Sequence, residues 1–318
     1  MITDSANKKR HLEFDIARAI AIFLMISQHV WYLIFKHFTS NPYIETALFI
    51  LVAVFSAPVF LFLMGANTVN SRHNKPRQLF VRGVKLFFLG YLLSALRFYI
   101  PIILGSYFGI ITNPENILYH WKPIYYLIEI DILQLAGLSL MVISLLRWKQ
   151  IKYKYYLLIA FIVAFITPFL WQINISGFFK YIIDPFWGTS SYVTFPLFPC
   201  LFYPLVGVYF GNLLLQAKDK TIFYKDCLIK LIPVFILGIL LLFINPDFFK
   251  TSYYRHSIGL SLIFISIIIY YLAFINFNYK KLSAKITKIL TTWSQNVTLI
   301  YIVQWLLIAW TAVFLSLK

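Results

Sequence analysis

The chain has 318 residues, of which 61% are apolar and only 12% charged, and its mean hydropathy is +0.78. A soluble domain carries roughly 25% charged residues, so this chain cannot cover a water-facing surface; a soluble globule, a disordered chain and a disulfide scaffold are excluded. The net charge of +17, from 28 Lys and Arg against 11 Asp and Glu, is spaced between apolar runs, which fits membrane topology and not a nucleic-acid partner.

The polar opening MITDSANKKRH leads into an apolar run too long for a cleavable h-region and reads as a retained first span. Nine apolar spans are expected, at 12–35, 46–69, 83–104, 123–146, 155–174, 192–215, 228–245, 257–277 and 289–316. A tenth helix has room between Gly105 and Trp121, or near Pro196 and Pro199. The expected fold is all-α: a polytopic membrane helix bundle of about 9–11 spans, forming one domain over residues 1–318. An outer-membrane barrel would show short alternating strands instead.

Lys and Arg set the orientation. Twenty lie in the N-terminal tail and alternate loops: Lys8, Lys9 and Arg10; Arg72, Lys75, Arg77, Arg82 and Lys85; then clusters around 147–154, 218–230 and 280–288. Six lie on the other side (Lys36, Lys122, Lys180, Lys250, Arg255 and Lys318), and Arg18 and Arg97 fall inside spans. That bias places the N-terminus in the cytosol. The opposite loops are aromatic, as in SYFGIITNPENILYHWKP and SGFFKYIIDPFWGTSSY. Tyr and Trp there form an interfacial belt or a stacking surface for sugars. Cys200 and Cys227 read as inert buried thiols.

Ionisable groups inside a span are costly and mark functional sites. The first span holds Glu13, Asp15, Arg18 and His29. At about 100° per residue, Asp15 and Arg18 lie about 60° apart, and Arg18 and His29 about 20° apart. All three share one face, with about 16 Å of rise between Arg18 and His29. The apolar Ile22 and Met25 lie between them, so the face reads as two polar stations along a path. The alternatives are a helix-start ion pair for Asp15 and Arg18, and an interhelical hydrogen bond for His29.

Further candidates are Glu129, Asp131 and Gln134 in the outer part of the fourth run, after His120 and Trp121; Asn67 in the second; and Asn296, Tyr301 and Gln304 in the last. Glu129, Asp131, Gln134 and Trp121 line an acceptor cavity, or form an acidic helix start with ordinary packing around it. Arg72, Arg77, Arg82 and Lys85 read as positive-inside topology or as a phosphate site. Arg82 and Lys85 are placed at a helix start, where the dipole disfavours cations and a phosphate would relieve them. No metal-type spacing appears among the six histidines.

The segment HLEFDIARAIAIFLMISQH resembles the first helix of membrane acyltransferases, matching the Asp-x-x-Arg and Arg-x10-His pattern of the acyltransferase-3 family with Asp15, Arg18 and His29. FSAPVFLFLMGANTVNSR with FVRGVKLFFLGYLL, then EIDILQLAGLSLM, LFPCLFYPLVGVYFGNLL and WSQNVTLIYIVQWLL, are similar to successive helices of the heparan-α-glucosaminide N-acetyltransferase-related family. The resemblance implies acetyl transfer across the bilayer, from cytosolic acetyl-CoA to an extracytoplasmic sugar or glycoconjugate. It implies an acid/base role for His29, or for the rival His37 in Phe35-Lys36-His37. Asp15 then orients Arg18, and Arg18, Asn67, Arg72, Arg77, Arg82 and Lys85 meet the coenzyme. Gln304 departs from the family, standing where relatives often carry a histidine. Chemically the assignment is reasonable, because histidine titrates near neutrality and serves as a base for acyl transfer.

Three functions follow as expectations: a membrane acetyltransferase of a bacterial cytoplasmic membrane; a transporter or flippase of a lipid-linked or acidic solute, with the same polar stations lining its path; and a scaffold. A homodimer is compatible with such a bundle, although no motif dictates one.

Overall fold

The structure is a computed structural model that describes residues 11–39, 41–71, 74–173, 175–244 and 254–315, except for the side chains of His37 and Asn116. Lys8, Lys9, Arg10, Arg72, His73, Lys250 and Lys318 lie outside the described residues, as does the side chain of His37.

Helix α1 (Leu12–Leu33) carries Glu13 and Asp15 in its first turn, where the helix dipole favours carboxylates. A short 3-10 turn, Phe35–His37, follows. In α2 (Pro42–Phe55) the Asn41 side chain accepts hydrogen bonds from the Tyr43 and Ile44 amides. Helix α3 (Ala57–Asn70) continues it after a break at Ser56. Helix α4 (Pro76–Ser94) passes into a π-helical turn, Ala95–Tyr99, and then α5 (Ile100–Tyr107), forming one long span.

The short α6 (Pro123–Leu127) precedes α7 (Ile132–Trp148), which Asp131 and Gln134 start with a reciprocal capping box. Then come α8 (Tyr153–Leu170), the short α9 (Phe178–Trp187), α10 (Leu197–Cys200) and α11 (Phe202–Gln216). Helices α12 (Lys220–Ile244), α13 (Ile258–Asn278), α14 (Ala284–Gln295) and α15 (Val297–Leu315) complete the chain.

Eight helical stretches among the described residues are long and apolar enough to cross a bilayer, and α7 is a shorter apolar helix. These nine follow the order of the nine expected spans. The protein is an all-α, multi-pass membrane bundle. The main pairings are α4 on α7, α3 on α11 and α12 on α13. Glycines sit in the seams of all three, with Gly238 and Gly259 facing each other between α12 and α13. A methyl group on Gly137 would lie 2.6 Å from the Gly83 carbonyl oxygen, and one on Gly207 would collide with that of Phe62. Small residues let helix backbones approach closely in a membrane.

Several expected spans are corrected. The runs 46–69 and 289–316 are not single helices: they break at Ser56 and Asn296. The run 123–146 is interrupted at Ile128–Asp131, where Ile130 forms an isolated parallel bridge with Val193. The run 192–215 therefore begins extended and becomes helical only at Leu197. The third and seventh runs start early, at Pro76 and Lys220. Arg82 and Lys85 consequently sit in the second and third turns of α4 rather than at its start, and the dipole argument for a phosphate there does not hold. Hydrophobic runs mark membrane depth well, but polar ends and hydrogen-bonded breaks inside a run escape them.

Candidate functional site

The polar face of α1 lies against the two C-terminal helices. At one end, the Ser294 hydroxyl donates to Asp15 Oδ1 at 2.7 Å and stands 2.9 Å from Arg18 Nη1. Arg18 Nη1 is also 3.8 Å from Asp15. Further along, His29 Nδ1 stands 3.2 Å from Gln304 Oε1, and its ring packs 4.1 Å from that of Trp305. An amide oxygen only accepts, so Nδ1 carries the proton in this arrangement and Nε2 keeps its lone pair.

Beside His29 lies a fully buried ion-pair cluster. Arg97, carried by the π-helical turn, places Nη1 2.7 Å from Asp131 Oδ2 and Nη2 2.7 Å from Glu129 Oε2. The Tyr301 hydroxyl donates to the same Asp131 oxygen at 2.8 Å. The guanidinium lies over the Trp305 ring at 4.3 Å, a favourable cation–π geometry. Gln134 Nε2 donates to the Glu129 carbonyl. Two carboxylates and one guanidinium in a low-dielectric interior depend on these partners, and Arg97 Nε has no hydrogen-bond partner among the described residues.

A cavity of about 350 Å³ runs from the Asp15–Arg18 station to Tyr301; His29 lies beyond that end and does not line it. Asp15, Arg18, Asn67, Thr68, Ser71 and Arg82 give it polar lining, Tyr301 lines it beside Ile132 and Leu133, and Met25, Met64, Leu61, Leu86 and Leu140 are among its apolar walls. The Arg18 and Arg82 cations with a long apolar passage fit a ligand that is anionic at one end and thin at the other. Arg147 shapes one side by donating to the Asn74 carbonyl and to Thr68 Oγ1.

The structure thus brings Asp15, Arg18, Asn67 and Arg82 to one chamber, gathers Glu129, Asp131 and Gln134 in one buried network, and sets His29 beside that network against Trp305. Asn67 donates to the Leu63 carbonyl within its own helix. Arg77 and Lys85 are exposed and do not line the cavity. Trp121 packs against Tyr119 and Tyr126. Glu129 and Asp131 are not helical: Asp131 caps α7, and both face Arg97. Sequence reasoning does not single out Arg97 and Ser294. The signal for Arg97 is plain in retrospect, since it is one of two basic residues inside spans.

No curated protein and no solved structure matches the chain. A family model described as heparan-alpha-glucosaminide N-acetyltransferase, catalytic, matches residues 10–226, more than half of the sequence, and the chain belongs to that family.

Proposed function

We propose that this protein transfers an acetyl group from cytosolic acetyl-CoA, entering at the Arg18 end, to a hydroxyl or amine of an extracytoplasmic sugar or glycoconjugate at the His29 end. The observation that carries this reading is the single cavity running from Arg18 to Tyr301, whose hydroxyl is bonded to the Asp131–Arg97 network beside His29. The Lys and Arg bias supports placing the Arg18 end in the cytosol. Residues 1–318 act as one domain.

In this scheme Arg18 and Arg82 hold the phosphates of the donor, with Asn67 near its pantetheine arm. Asp15 and Ser294 fix the Arg18 fork. Glu129, Asp131 and Gln134 shape the acceptor side together with Arg97. His29 Nε2 takes the proton of the acceptor as its oxygen or nitrogen bonds to the acetyl carbonyl carbon. The C–S bond then breaks, and the coenzyme leaves as a thiolate that regains a proton. Gln304 holds His29 in the tautomer this step requires.

The test is purified protein with radiolabelled acetyl-CoA and a glycan acceptor. Acyl transfer or thioester hydrolysis is expected, falling by about 10²- to 10⁴-fold in His29→Ala, the usual contribution of a general base. Full transfer by His29→Ala with loss in His37→Ala overturns the assignment of the base. Absence of transfer, with coenzyme-independent solute flux in proteoliposomes, overturns the enzymatic reading in favour of a transporter.

A further inference from the structure

A second cavity, of about 170 Å³, lies away from the donor chamber, between the end of α8 and helix α9. Its walls include Trp171, Trp187, Lys180, Asp184 and Thr189. Both indole nitrogens, Trp171 Nε1 and Trp187 Nε1, are buried and have no hydrogen-bond partner among the described residues. The Asp184 carboxylate is buried too, at 4% exposure. It accepts from Lys180 Nζ at 3.0 Å, from the Ser190 hydroxyl at 3.1 Å and from the Tyr192 hydroxyl. Lys180 Nζ also contacts Ser190 Oγ and stands over the Tyr192 ring at 5.2 Å. Burial lowers the Lys180 pKa, but the hydrogen bonds to Asp184 and Tyr192 outweigh it and raise the value above that of an ordinary lysine. The ammonium is thereby held in its charged form.

This cavity is at the same end of the bundle as His29. Arg147, at the far end of α7, ties that end to Asn74 and Thr68 near Arg18, so α8 runs back toward the other end. The wall of the cavity is also continuous in sequence with the buried network. Past Ser190 and Tyr192, Val193 bridges Ile130, the residue between Glu129 and Asp131. The Ile130 amide donates to the Tyr192 carbonyl, and the Thr194 amide to the Ile130 carbonyl. Arg255 fastens the strip by donating to the carbonyls of Ser190 and Val193.

We propose that this cavity is a subsite for one neutral pyranose ring, distinct from the His29 centre. Lys180, Asp184, Gln172 and Thr189 line the cavity, donors and acceptors of the kind that sugar hydroxyls pair with. The carboxylate and ammonium take the complementary hydroxyl contacts. Trp171 and Trp187 offer apolar walls for the C–H face of the ring, the mix of aromatic surface and few convergent polar groups that defines a small-molecule site. Lys180 is compensated by Asp184, so the cavity carries no net charge for an anion. The inference rests on the reading that the acceptor is a saccharide, and the cavity holds a ring of that acceptor remote from the acetylated one.

The test needs no acetyl donor. Saturation-transfer NMR on purified full-length protein in detergent, with glucose, galactose and N-acetylglucosamine as probes, is expected to show saturable millimolar binding of at least one hexose. Asp184→Asn and Trp187→Phe are expected to weaken it tenfold or more. The second variant keeps one aromatic ring but removes the pyrrole half of the indole wall, and both are compared at equal monodispersity. Absence of transfer to all three hexoses in the wild type overturns the inference, and so does undiminished binding by both variants. If acetyl transfer proceeds while these variants bind hexose normally, the subsite fails and the enzymatic reading stands.

Discussion

A guanidinium at 0% exposure inside a membrane bundle is tolerable only when it is fully compensated. Arg97 has Glu129, Asp131 and the face of Trp305. Removing one partner of such a buried set costs about 3–5 kcal/mol, because the remaining charges lose their compensation. Arg97→Ala is therefore expected to lower the thermal midpoint strongly, read by fluorescence-detected size-exclusion after heating. Tyr301→Phe removes one neutral donor from the Asp131 carboxylate and is expected to cost less, about 1.5–3 kcal/mol, while lowering the turnover of acetyl transfer; equal losses of stability in the two variants would contradict this account. Part of the site is legible in the sequence. Asp15, Arg18 and His29 share one helix, where a 3.6-residue period alone puts them on a common face. Arg97 shares no period with its partners. Glu129 and Asp131 lie more than thirty positions away on a non-helical segment, so only tertiary structure joins them. The segment itself escaped because an apolar run hides the place where its backbone turns to bridge Val193.

At the scale of elements, breaks inside spans do as much as the spans themselves. The α4–α5 span does not run as uninterrupted α-helix: its π turn carries Arg97. A π turn accommodates one extra residue, so deleting Ala95 would restore regular winding and swing Arg97 about 100° around the axis. Loss of the folded, monodisperse fraction is expected from that deletion, whereas Ala95→Ser is expected to be tolerated. The α3–α11 seam makes a second prediction. A methyl on Gly207 would meet the Phe62 carbonyl, and overpacking of this kind costs about 1–3 kcal/mol. Gly207→Ala should lower thermal stability by that order; an unchanged midpoint would show that the seam opens at little cost. The same contact is invisible in the sequence, where Gly207 is one glycine in an apolar stretch.

For the whole molecule, the decisive question is which end faces the cytosol. A single cysteine at Lys152, in a background lacking Cys200 and Cys227, is expected to resist a membrane-impermeant maleimide in intact cells. One at Lys122 is expected to react. The reverse pattern would invert the direction of acetyl flow in the proposed scheme.

The family match ends at residue 226, yet Ser294, Tyr301, Gln304 and Trp305 all come from later in the chain. Each completes a contact begun by the N-terminal helices, on Arg18, Asp131, His29 and Arg97. A fragment trimmed to the recognised boundary would keep the signature and lose a side of the chamber. Any minimal expression unit, or any chimera exchanging portions between relatives, must therefore carry the closing helices along with the opening one.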